Sequence, residues 1–196
     1  MLDPEEEIKL LGYVRLKAKS KHLEAIIITA LNTGMRKGEI LSLKWENVDF
    51  KNSYITIERS KNGEIRRIPM NKQLTTILKN VRELKRSTEY VFSNNGKPCT
   101  DIKTGWWRAL RDTEITNFRF HDLRHTFGSR LGMAGVDIKT IQELMGHMDI
   151  KMTMRYSHPT PEHKRKAVEI LDSSHTSFHT TSQSGRLVKA ANVGCH

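Results

Sequence analysis

The sequence predicts an α+β domain, mainly α-helical, in which a β-hairpin and one further short strand make a small three-stranded antiparallel sheet. Three observations carry that expectation. Capped stretches with apolar residues at helical spacing fill both ends of residues 1–171. Between them, residues 53–69 alternate β-branched and polar side chains around an Asn-Gly pair, the mark of a hairpin. The third is length: 196 residues suffice for one well-cored domain and are too few for two ordinary ones. The expected layout is one domain over residues 1–171 and a polar, disordered tail over 172–196, whose Ser, Thr, His and Gly offer little to bury.

Each element has a local reason. Asp3-Pro4-Glu5-Glu6 supplies an N-cap, a proline at the first helical position and a capping-box glutamate, so a helix is expected over Pro4–Lys17. A second helix from about Lys21 to Asn32 places Leu23, Ile26, Ile27, Ala30 and Leu31 on one apolar face, and Gly34 ends it. A shorter helix runs through Arg36 to Leu43. Ser53–Glu58 and Ile65–Pro69 form the hairpin, with Lys61-Asn62-Gly63 at its tip, and Tyr90–Ser93 reads as the third strand. Asn71 caps a helix to about Lys85, and Asp101 caps one through Trp106, Trp107 and Leu110. The second half is helical: Asp122–Met133, Asp137–Met145 ended by Gly146, and Asp149–Tyr156. Pro159 and Pro161 then break the chain before a last amphipathic helix, Pro161–Leu171, that carries Ala167, Val168, Ile170 and Leu171.

Lys and Arg outnumber Asp and Glu by 33 to 22, a net charge of +11, which favours a polyanionic partner. A basic solvated surface is the ordinary alternative. The two cysteines, Cys99 and Cys195, have neither metal-type spacing nor a disulfide pattern, so a reducing cytoplasm is the expected compartment. The acidic N-terminus is unlike a signal peptide, and no apolar run approaches the roughly 18 residues of a membrane span. No membrane partner is expected.

The residues able to do chemistry are few. Arg36 stands at a helix start after a glycine break, where a guanidinium and backbone N–H groups can face a phosphate; a surface arginine paired to Glu39 is the plain reading. Lys61 at a hairpin tip can carry a proton donor to a leaving oxygen, though lysines at such tips often serve solubility. His121 and Arg124, three apart at a helix head, can converge on one anionic centre. His147 follows Gly146 at a helix end, where the dipole favours an imidazolium. Tyr156 lies on an amphipathic helix, where a tyrosine is more often a core residue with a satisfied hydroxyl than a nucleophile.

Gly34-Met35-Arg36-Lys37-Gly38-Glu39-Ile40, His121-Asp122-Leu123-Arg124-His125-Thr126, and Leu144-Met145-Gly146-His147 followed by Arg155-Tyr156-Ser157-His158 resemble, in this order, the signature boxes of the tyrosine recombinases, the family of phage integrases and Xer-type recombinases. The resemblance covers about residues 4–171. It implies the family's DNA breaking-rejoining catalytic fold, with Arg36 and Arg124 as an arginine clamp, Lys61 as the hairpin lysine, His121 and His147 as the two histidine positions, and Tyr156 as nucleophile. It also implies a bacterial or phage-derived enzyme that acts on double-stranded DNA without cofactor or metal, monomeric when free and tetrameric on paired sites. Family members usually carry an N-terminal helical domain that closes on the other side of the DNA; nothing precedes Met1 here, so a catalytic fragment is expected. Met145 stands where leucine is usual, a volume-conserving exchange.

Two rivals differ in class. His121 and His125, four apart, with His147 as third ligand, would make a zinc hydrolase site resembling a His-Glu-x-x-His box, with Asp122 in the place of the glutamate. That reading leaves Arg36, Lys61 and Tyr156 without a role. The other rival is a DNA-binding regulator, or a weakly active fragment, of the recombinase fold.

Overall fold

The computed structural model describes residues 1–17, 22–58, 65–84, 88–94, 96–157 and 160–179. The chain divides into two compact units, Met1–His158 and Pro159–His196. Helix α1 (Pro4–Lys17) starts as the sequence predicts: Asp3 Oδ1 accepts the Glu6 N–H at 2.8 Å and Glu6 Oε2 accepts the Asp3 N–H at 3.1 Å. Helix α2 (Leu23–Thr33) ends on Gly34, which takes φ 61°. The single apolar face expected for α2 is too narrow, because Ala25, Ile28 and Thr29 are buried as well. The helix is packed by α1, by α3 (Lys37–Leu41), by α4 (Lys72–Leu84) and by α6 (Asp122–Met133). A helix enclosed on so many sides is apolar nearly all round.

The sheet has the order β1 (Val48–Asp49), β2 (Tyr54–Glu58), β3 (Ile65–Pro69), antiparallel throughout, with Val48 opposite Ile55 and Ile55 opposite Ile68. Its third strand is therefore Val48–Asp49 and not Tyr90–Ser93. The Asp49 carboxylate accepts the N–H groups of Lys51 and Asn52 at 2.9 and 3.0 Å and turns the chain directly back into β2. Tyr90 makes only an isolated bridge to Lys44. Val91 and Phe92 are spent in the core, and Ser93 opens a two-residue strand β4 (Ser93–Asn94) that pairs with β5 (Lys97–Pro98). The hairpin tip, residues 59–64 with Lys61, lies outside the described residues.

A side-chain cap starts α4 where the sequence places it, with Asn71 Oδ1 accepting the Leu74 N–H at 2.9 Å. Asp101 Oδ1 accepts the Lys103 N–H at 2.8 Å, but α5 (Lys103–Asp112) has Ile102 and not the expected Asp101 as its N-cap. Asp137 Oδ1 accepts the Thr140 N–H at 2.9 Å at the head of α7 (Ile138–Met145). Helix α8 is shorter than expected, Lys151–Met154, and α3 covers only Lys37–Leu41 with Arg36 as its N-cap. In the second unit α9 runs from Pro161 to His179, past the expected end at Leu171, so residues 172–179 are helical rather than tail-like; residues 180–196 lie outside the described residues.

Two cores position the site. The larger is built around α2 and includes Leu10, Ile55, Leu74, Phe92, Trp106 and Leu123. The smaller joins Phe127 of α6, Ile141 and Met145 of α7, and Tyr156. Helix α6 is tied to the chain start: the Leu2 N–H donates to Thr126 Oγ1 at 3.0 Å, and Arg130 pairs with Glu7.

Candidate active site

Helix ends build the site. Gly34 and Gly146 close α2 and α7 in the left-handed region, at φ 61° and 63°, which glycine enters at no steric cost. Arg124, in the first turn of α6, donates to the Gly34 carbonyl and, at 2.6 Å, to the Met145 carbonyl. Arg36 donates to the Gly146 carbonyl at 3.3 Å. Two guanidinium groups thus hold consecutive carbonyls at the negative end of α7, and this offsets part of their mutual repulsion. Arg124 is 4% exposed. Burial and the charges of Arg36 and Arg66 bring its pKa down to about 10, so it remains a cation at neutral pH.

Glu39 bridges Arg36 and Arg66. Its carboxylate accepts from the Arg36 N–H at 2.8 Å, from Arg36 Nη1 at 3.1 Å, and from Arg66 Nη1 and Nη2 at 3.1 and 2.7 Å. Burial alone would raise its pKa, but the hydrogen bonds and charge of Arg66, together with Arg36, lower it on balance. The surface pairing of Arg36 with Glu39 is therefore real, and it orients Arg36 toward the site instead of removing it.

Arg36, His121, Arg124, His147 and Tyr156 line one cavity of ≈ 160 Å³, together with His125, Met152 and Arg155. Of the residues expected in the site, only Lys61 lies outside the described residues. The Tyr156 ring belongs to the smaller core and is 4% exposed, while its hydroxyl meets His125 Nδ1 at 2.7 Å. It does not sit on a helix: it follows α8 in a turn closed by its N–H on the Thr153 carbonyl at 2.9 Å. Burial raises its pKa, against the lowering effect of Arg155 and Arg124. His147 is stacked on the tyrosine ring at 6.5 Å and 13°, and its Nδ1 meets Thr153 Oγ1 at 2.9 Å. The dipole argument for a charged His147 is overturned, because burial and the charges of Arg124 and Arg36 lower its pKa to about 4. His121 borders the cavity with its ring edge-on to His125, centroids 4.9 Å apart; partial burial and Arg124 lower its pKa.

The zinc alternative is not supported: among the described residues no three His, Cys, Asp or Glu side chains gather as a metal site needs. Sequence reasoning missed Arg66 and gave His125 a part only in that rival. A signal for Arg66 was present, since strand alternation puts it on the same face as buried Ile68. His125 carried no such signal, because its contact depends on the turn after α8.

Residues 1–163 match the phage integrase family. The chain belongs to that family. Within it, the tyrosine recombinase XerA of Pyrococcus furiosus is 34% identical over 177 residues, covering 84% of this chain and 59% of the relative. The chain spans about half the length of the curated integrases and recombinases it matches. The catalytic domain of bacteriophage HP1 integrase superposes with a TM-score of 0.68 at 28% identity, covering 86% of this chain and 93% of that domain. The Tn1549 transposon integrase in complex with circular intermediate DNA gives a TM-score of 0.68 at 27% identity, covering 87% of this chain and 66% of the other. The fold is that of an integrase catalytic domain.

Proposed function

We propose that this chain is the catalytic part of a site-specific DNA recombinase that cuts and rejoins double-stranded DNA through a 3′-phosphotyrosine. One observation carries the reading: a buried tyrosine, three arginines and three histidines border a single cavity. A scissile phosphate seated there meets Arg36 and Arg124 as fixed cations, and such charge, placed where an anion develops, is the largest usual contribution to this kind of catalysis. Neutral His147, with Nδ1 engaged by Thr153, adds a donor at Nε2 when the Thr153 hydroxyl donates to Nδ1. Tyr156 attacks phosphorus in line, and the 5′ oxygen leaves with a proton from Lys61, the role the family resemblance gives that residue. The bond energy stays in the phosphotyrosine, so a 5′ hydroxyl from another duplex reseals the strand without ATP or metal. Beside the site, a groove of ≈ 630 Å³ between β3 and α7, lined by Arg66, Arg67, Lys139 and Gln142, suits a DNA backbone.

The functional protein is read as a DNA-associated cytoplasmic enzyme, monomeric when free and tetrameric on paired sites. The apolar residues of α9, Ala167, Val168, Ile170 and Leu171, are read as the segment that docks on a neighbouring protomer. A covalent-adduct assay in EDTA, with nicked duplexes from DNA flanking the encoding gene, tests the reaction. A denaturation-resistant adduct is expected from the wild type and none from Tyr156→Phe, with DNA affinity nearly unchanged. Equal adduct from both proteins would reject the reading, and binding without any adduct would favour a regulator of this fold.

A further inference from the structure

Tyr156 carries a proton that must leave when its oxygen attacks phosphorus. Burial keeps the phenol protonated at neutral pH, and the arginines around it are donors only, unable to take that proton. His147 is badly placed to do so, because its ring lies parallel to the tyrosine ring and its Nδ1 is engaged by Thr153. His121 stands edge-on to His125. The nitrogen that meets the phenolic oxygen is His125 Nδ1, at 2.7 Å, within the range for direct proton transfer.

We infer that His125 is a catalytic residue, the general base whose Nδ1 takes the Tyr156 proton during attack and returns it when the strand reseals. The inference rests on the reading of Tyr156 as nucleophile. In the forward step the phenolic O–H bond breaks and its electron pair forms the O–P bond, while the proton joins Nδ1 to give an imidazolium. The P–O5′ bond breaks, and its electron pair leaves on the 5′ oxygen, which Lys61 protonates. In resealing, a 5′ hydroxyl attacks phosphorus and gives its proton back to the neutral Lys61 amine, while the P–O bond to Tyr156 breaks and the imidazolium protonates the departing phenolate oxygen. Transfer from a free phenol to imidazole is uphill; it becomes downhill as the O–P bond forms and the phenolic oxygen gains positive charge.

The surroundings keep His125 able to accept. From α6 it faces His121, Asp122 and Arg124; from the turn after α8, Arg155 and Tyr156; and His147 lies beyond α7. Burial, then the charges of His121 and Arg155, lower its pKa, and Asp122 opposes them only in part. The ring is neutral at pH 7, with Nδ1 the acceptor when Nε2 carries the hydrogen.

Single-turnover adduct formation by the full chain tests this, with wild type, His125→Gln, Lys61→Ala and Tyr156→Phe on an ordinary duplex and on one whose 5′-bridging oxygen is sulfur. Glutamine can still accept a hydrogen bond but is no base, so His125→Gln should slow the step about 10²- to 10⁴-fold while DNA affinity and thermal midpoint stay close to wild type. A sulfur leaving group needs no proton, so it should restore Lys61→Ala and leave His125→Gln slow. The wild-type rate should level off above the His125 pKa, whereas the variant should gain about tenfold per pH unit. A His125→Gln rate within a few-fold of wild type, or its rescue by sulfur, would overturn the inference. Should that variant fail to fold, a wild-type rate rising steadily from about pH 6 to about pH 9 would overturn it, because a neutral histidine base gives a plateau. An adduct that survives Tyr156→Phe, or none from wild type, rejects the nucleophile and the base together. A Tyr156-dependent adduct undiminished in His125→Gln rejects the base alone.

Discussion

Arg124 is held by two backbone carbonyls from different helix ends, so its removal bears on the structure as well as on the chemistry proposed for it. Arg124→Ala should lower the cleavage rate by about two to three decades, as loss of one oxyanion donor does, and should cost about 1–3 kcal/mol because the Gly34 and Met145 carbonyls lose their donor. Single-turnover cleavage within a few-fold of wild type would contradict this role. Glu39 makes a separate prediction in pH. Its folded-state pKa is lowered from an ordinary value of 4.5, so its stabilisation is complete above that value and is lost as pH falls through the lower, folded-state value. Urea midpoints measured across this acid range should fall less steeply for Glu39→Gln than for wild type; parallel curves would remove the coupling. At this scale Arg36, Arg124 and His147 were legible because glycines and helix heads flag them, and Tyr156 only through the resemblance of its box to a family signature. Arg66 was hidden in a basic strand, and His125 was hidden by a contact formed only when two distant segments meet.

Helix α6 illustrates what an element contributes beyond its side chains. Gly128 and Gly132 face the turn after α8: a Cβ on Gly128 would meet Tyr156 Cε2 at 2.8 Å, and one on Gly132 would fall on the Tyr156 carbonyl oxygen. These glycines let the tyrosine segment lie directly on the helix, with its hydroxyl at His125. Gly132→Ala should therefore push Tyr156 outward, costing about 1–3 kcal/mol of stability and slowing adduct formation while DNA binding persists. Unchanged adduct kinetics would show that the backbone contact does not position the nucleophile. Helix boundaries set by a proline, a capping aspartate or asparagine, or a glycine were readable from sequence, as α1, α4 and α7 attest. The third strand was not, because β1 is two residues long and exists through the Asp49 turn and its pairing with β2, not through any pattern of its own. Residues 172–179 look tail-like in composition, yet α9 continues through them.

On the scale of the whole molecule, a net charge of +11 and a cavity carrying Arg36, Arg124 and Arg155 fit a polyanionic substrate. Composition alone indicated a polyanion. The order of the boxes narrowed that expectation to the DNA strand exchange proposed above, and the geometry gathers five of the six expected side chains at one cavity. The target sequence was not legible, since base recognition depends on side chains facing a groove and no spacing in the chain encodes that. The central claim is that Tyr156 becomes covalently joined to DNA. The most direct measurement digests the denatured protein–DNA adduct with nuclease and protease and locates the modified residue by mass spectrometry. A nucleotide linked through its 3′ phosphate to Tyr156 is the predicted result; a nucleotide on any other side chain, or one linked through its 5′ phosphate, would contradict the account.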